Sequence, residues 1–434
     1  MPRQHMSLLL YFRHASSTSQ KATIQHLQAG LAAVLTEMPQ FAGVLRHKKG
    51  PRNELELVLN PECGVLFRIC DASDQADYDS LLNGMTQGSL VADEKLAVPA
   101  ADLQTENDGT RAFAVQATSV KGGLLLATST HHSLGDAKAT EVLLKSWARH
   151  SAERSHGRST TIEMAHEDAT ARWRLSYGPK DVPMESFVEN CGLKGLYQAP
   201  QLAESTLPST WTISPDAIQE LTESVKTSGV QVSKSDLICS LIARHMYRAR
   251  RQHETSTLWP ESILLYVTLD MRSRLEPPLA KNYQGNASVG IAVTVDLATL
   301  CDGPNATALS TTAASIKTAI DNFDTTALRS RLGFYKAQPF FGSVMPNFEY
   351  YPGPNALITD TSSLGFYSLN WGPTLQTMDY FRVVGQTLAA GECAVYPKKK
   401  DGTIDFQMRH DPRVLETMKE DKEFSNFCRL VGYY

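Results

Sequence analysis

The run Ser129-Thr130-His131-His132-Ser133-Leu134-Gly135-Asp136 holds two adjacent histidines and, four residues past the second, a carboxylate. An unperturbed imidazole titrates at about 6.5, so a fixed histidine can take a proton from an alcohol or amine near neutral pH and return it to a leaving group. His132 and Asp136 have the spacing H-x-x-x-D and are the candidate catalytic pair, with His132 as general base. The carboxylate is suited to orienting the loop through an arginine or to capping the helix that follows. His131 carries the same imidazole without that spacing. Adjacent histidines with a nearby acid also occur as ordinary hydrogen-bonded residues at strand ends, so spacing alone leaves both readings open.

The surrounding segments must hold this run still. The apolar stretch Leu124 to Ala127 before it, and the helical recurrence of Val142, Leu143 and Trp147 after it, predict a strand end, a short loop and a helix start. Upstream, Leu8 to Phe12 reads as a buried strand, and Ile24, Leu27, Leu31 and Val34 recur at helical spacing up to Pro39. Leu55 to Leu59 and Val65 to Ile69 alternate as successive strands, and Phe113, Val115 and Ala117 alternate before the Lys121-Gly122-Gly123 turn. In the second half, Ser214-Pro215 supplies a cap and a first-turn proline for a helix bearing Ile218, Leu221 and Val225. Ser233-Lys234-Ser235-Asp236 predicts a capping box opening a helix through Leu237, Leu241 and His245, whose basic end at Arg248, Arg250 and Arg251 reads as solvated. Strands at Ile263 to Leu269 and Ser288 to Val295, a helix carrying Leu309, Ala313, Ile316 and Ile320, and a hairpin around Lys400-Asp401-Gly402 follow.

With 434 residues the chain is comfortable for two domains, placed at 1-178 and 209-434 with a proline-marked crossover at 179-208 between them. A hydrophobic content of 42%, a charged content of 20% and a formal net charge of -4 offer nothing that recruits nucleic acid or anionic lipid. The seven cysteines include no C-x-x-C pair, which argues against a disulfide framework and against a zinc site. Without an apolar leader or a run near the ~20 residues of a membrane span, the chain reads as soluble and cytoplasmic; it is expected to be a monomer. Asn286 and Ser288 form an N-x-S sequon, read as unglycosylated for the same reason.

Downstream stand Asp270-Met271-Arg272-Ser273-Arg274-Leu275-Glu276-Pro277-Pro278-Leu279, then Tyr283-Gln284-Gly285-Asn286, and late in the chain Asn370-Trp371-Gly372. With the H-x-x-x-D run, these resemble the motifs of the BAHD acyltransferase family, in its fungal branch near the trichothecene 3-O-acetyltransferases, and the likeness runs nearly end to end. The resemblance implies an α/β fold of two chloramphenicol acetyltransferase-like domains, each a mixed sheet with flanking helices, and an active-site tunnel at their interface. It implies acyl transfer from coenzyme A thioesters by direct attack, with His132 as base, no acyl-enzyme, no metal and no tightly bound cofactor. Arg272, or failing that Arg274, would pair with Asp136. Asn370, Trp371 and Gly372 would support the site, and Thr359 and Ser362 would lie beside the coenzyme A channel. Four departures stand out. Asn370 replaces the family's late aspartate, Pro373 stands before its second glycine, and Ala137 follows Asp136 where relatives often have glycine. Met1-Pro2-Arg3 resembles a segment that relatives precede with a further short stretch.

The favoured reading is O-acylation of a hydroxyl on a small specialised metabolite, with acyl-CoA and that acceptor as partners. One rival keeps the same base with a carrier-protein thioester or an intramolecular condensation. Another, motivated by Asn370 and Ala137, is a non-catalytic binding protein.

Overall fold

The computed structural model describes residues 4–14, 19–60, 64–86, 96–105, 109–158, 170–176, 178–179, 193–194, 205–226, 229, 231–254, 259–338, 345–346, 349, 351–384 and 388–433. The chain is mixed α/β and forms two compact units, each with its own sheet. The first gathers Met1–Arg174, Pro277–Ala287 and Leu364–Thr387; the second gathers Leu175–Glu276, Ser288–Ser363 and Leu388–Tyr434. This differs from a division in chain order at 179-208, because two later segments return to the first unit. Most of the expected crossover and Met1-Pro2-Arg3 lie outside the described residues.

In the first unit the five-stranded sheet runs Tyr380–Val384, His5–Arg13, Gly123–His131, Phe113–Val120, Leu66–Asp71. All neighbours are antiparallel except the last pair, which is parallel. Gly123–His131 is therefore the central strand, and all nine of its residues are buried. Its partner Phe113–Val120 is joined to it by the expected tight turn, where Gly122 takes φ +80, a left-handed value that needs no side chain to be accommodated. Alternation along the strand divides its side chains between two layers. Leu125 and Ala127 pack with Leu9, Tyr11, Tyr78 and Leu81 in one cluster. On the other face Phe113, opposite Thr130, meets the Trp147 ring. Trp147 belongs to helix Ala137–Ser155, and its Nε1 donates to the Leu27 carbonyl of helix Gln20–Glu37 at 2.8 Å. A buried Glu37 carboxylate ties the same two helices by accepting from Arg149 at 2.8 Å and from His150 at 2.9 Å. A separate three-stranded sheet orders Leu55–Val58, Val44–His47, Thr110–Arg111.

The second unit carries a seven-stranded mixed sheet in the order Ser288–Asp296, Ser262–Asp270, Ala356–Asp360, Glu392–Val395, Ile404–His410, Leu207–Ile213, Cys428–Tyr433. The hairpin expected near Lys400 joins Glu392–Val395 to Ile404–His410. Helix Lys234–His253 opens with the expected capping box, in which Ser233 and Asp236 exchange side-chain and backbone bonds. Its basic end departs from the solvated reading. Arg250 is fully buried, bidentate on Glu254 at 2.9 Å, bonded to the Gly353 carbonyl at 2.8 Å and faced by the rings of Tyr247, Trp259 and Tyr351. A carboxylate one turn later and three aromatic rings compensate its desolvation.

Among the described residues the cysteines are thiols, and no helix is long and apolar enough to cross a membrane.

Candidate active site

His132 is the first residue beyond the central strand, and its backbone is held at both ends. Its N–H donates to the Gln4 carbonyl at 2.8 Å, and its carbonyl accepts the side-chain amide of Asn286. The loop then turns tightly, with Leu134 N–H on the His131 carbonyl at 2.9 Å and an Arg172 guanidinium on the Leu134 carbonyl at 3.2 Å. His131 is buried, accepts the Ser133 amide on Nδ1 at 3.2 Å and stands edge-on to His5 with ring centroids 5.1 Å apart. His5 in turn donates from Nε2 to the Arg111 carbonyl at 2.8 Å.

The His132 ring is set differently. Its Nδ1 is buried and has no hydrogen bond of good geometry. Burial pushes its pKa below 6.5, partly opposed by its own carbonyl and by Asp136. Burial thus favours the neutral imidazole, the state a general base must start from.

Asp136 is buried and caps helix Ala137–Ser155 by accepting the Ala139 amide on Oδ1 at 2.8 Å. Its other oxygen, Oδ2, accepts the Ala287 amide at 2.8 Å. One carboxylate thus fixes the helix start and staples the returning segment Pro277–Ala287 against the histidine loop. That segment is held further by Gln40, which donates to Gln284 at 2.6 Å, and by Arg174, which donates to the Pro278 carbonyl at 2.9 Å.

Asn370, Trp371 and Gly372 also lie in the first unit. The exposed Asn370 accepts the Gly372 amide on Oδ1 at 2.9 Å, and Trp371 is buried with its ring edge-on to Phe12 at 5.5 Å and Trp147 at 5.4 Å. Arg272, Arg274, Thr359 and Ser362 belong to the second unit. Arg272 is buried, with Nη1 3.0 Å from Asp270, while Arg274 donates to the Phe323 carbonyl at 2.9 Å. Thr359 lies in strand Ala356–Asp360 opposite Ala394, and Ser362 donates its amide to Asp360 at 2.7 Å. Two contributors were not read from the sequence: Asn286, quoted there as part of a motif and a sequon, and Ala287, whose part is a backbone amide that leaves no trace in residue type.

One cluster among the described residues has metal-ligand proximity, His245 with Asp421 and Glu423. The geometry assigns it another duty. Asp421 accepts from His245 at 2.8 Å and from the Glu423 amide at 2.9 Å as a helix cap, and Arg248 already supplies the cation to both carboxylates.

The first unit thus presents a backbone-clamped histidine at a strand end, with the H-x-x-x-D carboxylate capping the helix that follows. The Transferase family model matches residues 1–425, and the chain belongs to that family. Acyltransferase easC of Emericella nidulans is 27% identical, over 99% of this chain and 93% of that protein. Acyltransferase cm3D of Cordyceps militaris is 28% identical, over 99% and 94%. Among solved structures, F. graminearum TRI101 complexed with ethyl coenzyme A superimposes with a TM-score of 0.82 at 16% identity, over 99% of this chain and 96% of that one. Vinorine synthase gives 0.70 at 17% identity, over 96% and 89%.

Proposed function

We propose that the protein is an acyl-CoA-dependent O-acyltransferase acting on a hydroxyl of a small specialised metabolite, with His132 as general base. The single observation that carries the base assignment is an imidazole projecting from a backbone bonded at both its N–H and its carbonyl. His132 takes the acceptor's hydroxyl proton as that oxygen attacks the thioester carbonyl carbon. The tetrahedral intermediate collapses with cleavage of the C–S bond, and the imidazolium returns the proton to the departing thiolate, so no acyl-enzyme forms. Asp136 keeps the loop in place; by family resemblance Arg272, or failing that Arg274, supports the site, and Thr359 and Ser362 lie beside the coenzyme A channel. The naming of relatives as acyltransferases supports an acyl donor, and an eremophilane O-acetyltransferase of Penicillium roqueforti, 23% identical over 99% of this chain and 96% of that protein, supports a hydroxyl acceptor. A coenzyme A-bound structure of the same fold supports coenzyme A as the carrier.

The test is coenzyme A release from a panel of acyl-CoAs with hydroxylated terpenoid and polyketide acceptors, run on the native protein and on His132→Ala. The expected result is turnover in the native protein and a loss of at least about a hundredfold in the variant, in line with the 10² to 10⁴ a general base contributes. Silence of the native protein across the panel, or a variant with native kcat, would overturn the reading.

A further inference from the structure

We infer that Asn286 is the positioning residue of the base: its side-chain amide, held on the His132 carbonyl oxygen, fixes the backbone from which the imidazole projects and competes with the ring's Nδ1 for that oxygen. The inference rests on His132 being the base, and it adds a residue to that mechanism rather than a step.

His132 has left the sheet ladder, whose last register pair on this strand is His5 with His131. Its amide finds Gln4, but beyond the strand end the peptide carbonyl depends on a partner outside the ladder, and the Asn286 Nδ2 supplies it. A buried carbonyl left unpaired costs about 1 to 3 kcal/mol and is free to rotate. Rotation of that peptide carries the ring with it, because the side chain has no second tether: Nδ1 is buried without a good partner and faces its own carbonyl. Asn286 is aimed by its neighbours. Ala287 is pinned to Asp136 at 2.8 Å and Gln284 accepts from Gln40 at 2.6 Å, so the amide side chain sits between two fixed points.

The same bond bears on the proton. A carbonyl oxygen already accepting from an amide is a weaker acceptor for an imidazolium N–H. Removing Asn286 releases the oxygen to stabilise protonated His132, which moves its titration upward. The charged group acting on the ring from its own loop is Asp136, which the change leaves in place; His5 on the paired strand and His131 are occupied with each other.

The experiment titrates the His132 ring by imidazole nitrogen NMR, its resonances identified by their loss in His132→Ala, in the native protein, in Asn286→Ala and in the near-isosteric Asn286→Asp. Coenzyme A release is measured on the same proteins. We expect an upward shift of the His132 titration in both variants, larger in Asn286→Asp. We also expect kcat to fall about 10- to 100-fold, the scale of a misplaced reacting group, with the KM for acyl-CoA within about threefold. An unmoved titration in the variants, or native kcat in both, would overturn the inference while leaving the base in place. Native kcat in His132→Ala would instead remove the base assignment, and the inference with it.

Discussion

The Asp136 carboxylate receives the Ala287 amide at 2.8 Å across 151 residues of chain, while its second oxygen receives the Ala139 amide at 2.8 Å. Both bonds require an acceptor. Asp136→Asn replaces one acceptor with an NH₂ group that must face an amide N–H. We expect a loss of about 1 to 3 kcal/mol, read as a melting temperature lower by several degrees, together with reduced kcat. A variant that loses rate at unchanged melting temperature would show that the acid acts on the proton and not on the loop. The proposed partnership with Arg272 is measured by a double-mutant cycle with Arg272→Gln: a coupling beyond about 0.5 kcal/mol supports it, and additivity within that margin removes it.

The pH profile of kcat/KM follows from the His132 environment. Burial lowers its pKa, so the neutral base predominates from below 6.5 upward, and activity is lost as pH falls through the lowered value. The acid limb is therefore expected below pH 6.5. A limb at or above 6.5 in the native protein would mean that a different group, or a solvated histidine, governs the rate.

Much of this was legible in the sequence because it is local. The strand, loop and helix around His132 follow from an apolar run, two histidines and a capping aspartate within 20 residues, and the Ser233 capping box forms as its spacing predicts. The interleaving of the units was not legible. Tyr380–Val384 pairs with Ser7 to Tyr11, and no short-range pattern encodes an edge strand arriving from the far end of the chain. Likewise Leu55–Val58 and Leu66–Asp71, neighbours in sequence, join different sheets. Arg250 misled for a related reason: charge at a helix end signals solvent unless its compensating partners, here Trp259, Tyr351 and Gly353, can be seen to converge.

Acid stability gives a second test of burial. His410 is fully buried, accepts the Asp411 amide on Nδ1 at 2.9 Å and stands edge-on to Tyr351. Burial, and then the charge of Arg250, push its pKa down to about 3. Between that value and the unfolded value near 6.5, the unfolded chain binds a proton that the folded one does not. Stability is therefore lost as pH falls through this window, at about 1.4 kcal/mol per pH unit for a single proton. His245 and His5, also lowered by burial, act in the same direction. The lowered carboxylates of Asp411 and Asp421 add their loss only in the range of ordinary carboxylates and below. His410→Gln keeps an acceptor for the Asp411 amide without the titration, and should flatten melting temperature against pH between about 6 and 4.5. Parallel curves for the two proteins would show that His410 is not the group responsible.

At Asn370 the chain departs from the family pattern, and the structure sets the cost of restoring the aspartate. The side chain is exposed, so a carboxylate at 370 need not be desolvated, and its oxygen can keep the Gly372 amide that Asn370 Oδ1 accepts at 2.9 Å. It would also line a cleft of about 360 Å³ whose other charged groups are Lys145, Arg149 and Glu141. Asn370→Asp is therefore expected to leave kcat within about threefold and the melting temperature unchanged or slightly raised, since exposed charge pairs contribute about 0 to 1 kcal/mol. Gly372 is the demanding position of this turn. Its φ of +97 disfavours any side chain, and a Cβ would stand 2.5 Å from Ser155 Oγ and 3.1 Å from the Ala152 Cα. Gly372→Ala should accordingly lower the melting temperature by several degrees, from about 1 to 3 kcal/mol of backbone strain and crowding. Thermal unfolding of the two variants beside the native protein decides it. A destabilised Asn370→Asp with a tolerated Gly372→Ala would place the constraint on the side chain of residue 370 rather than on the backbone of the turn.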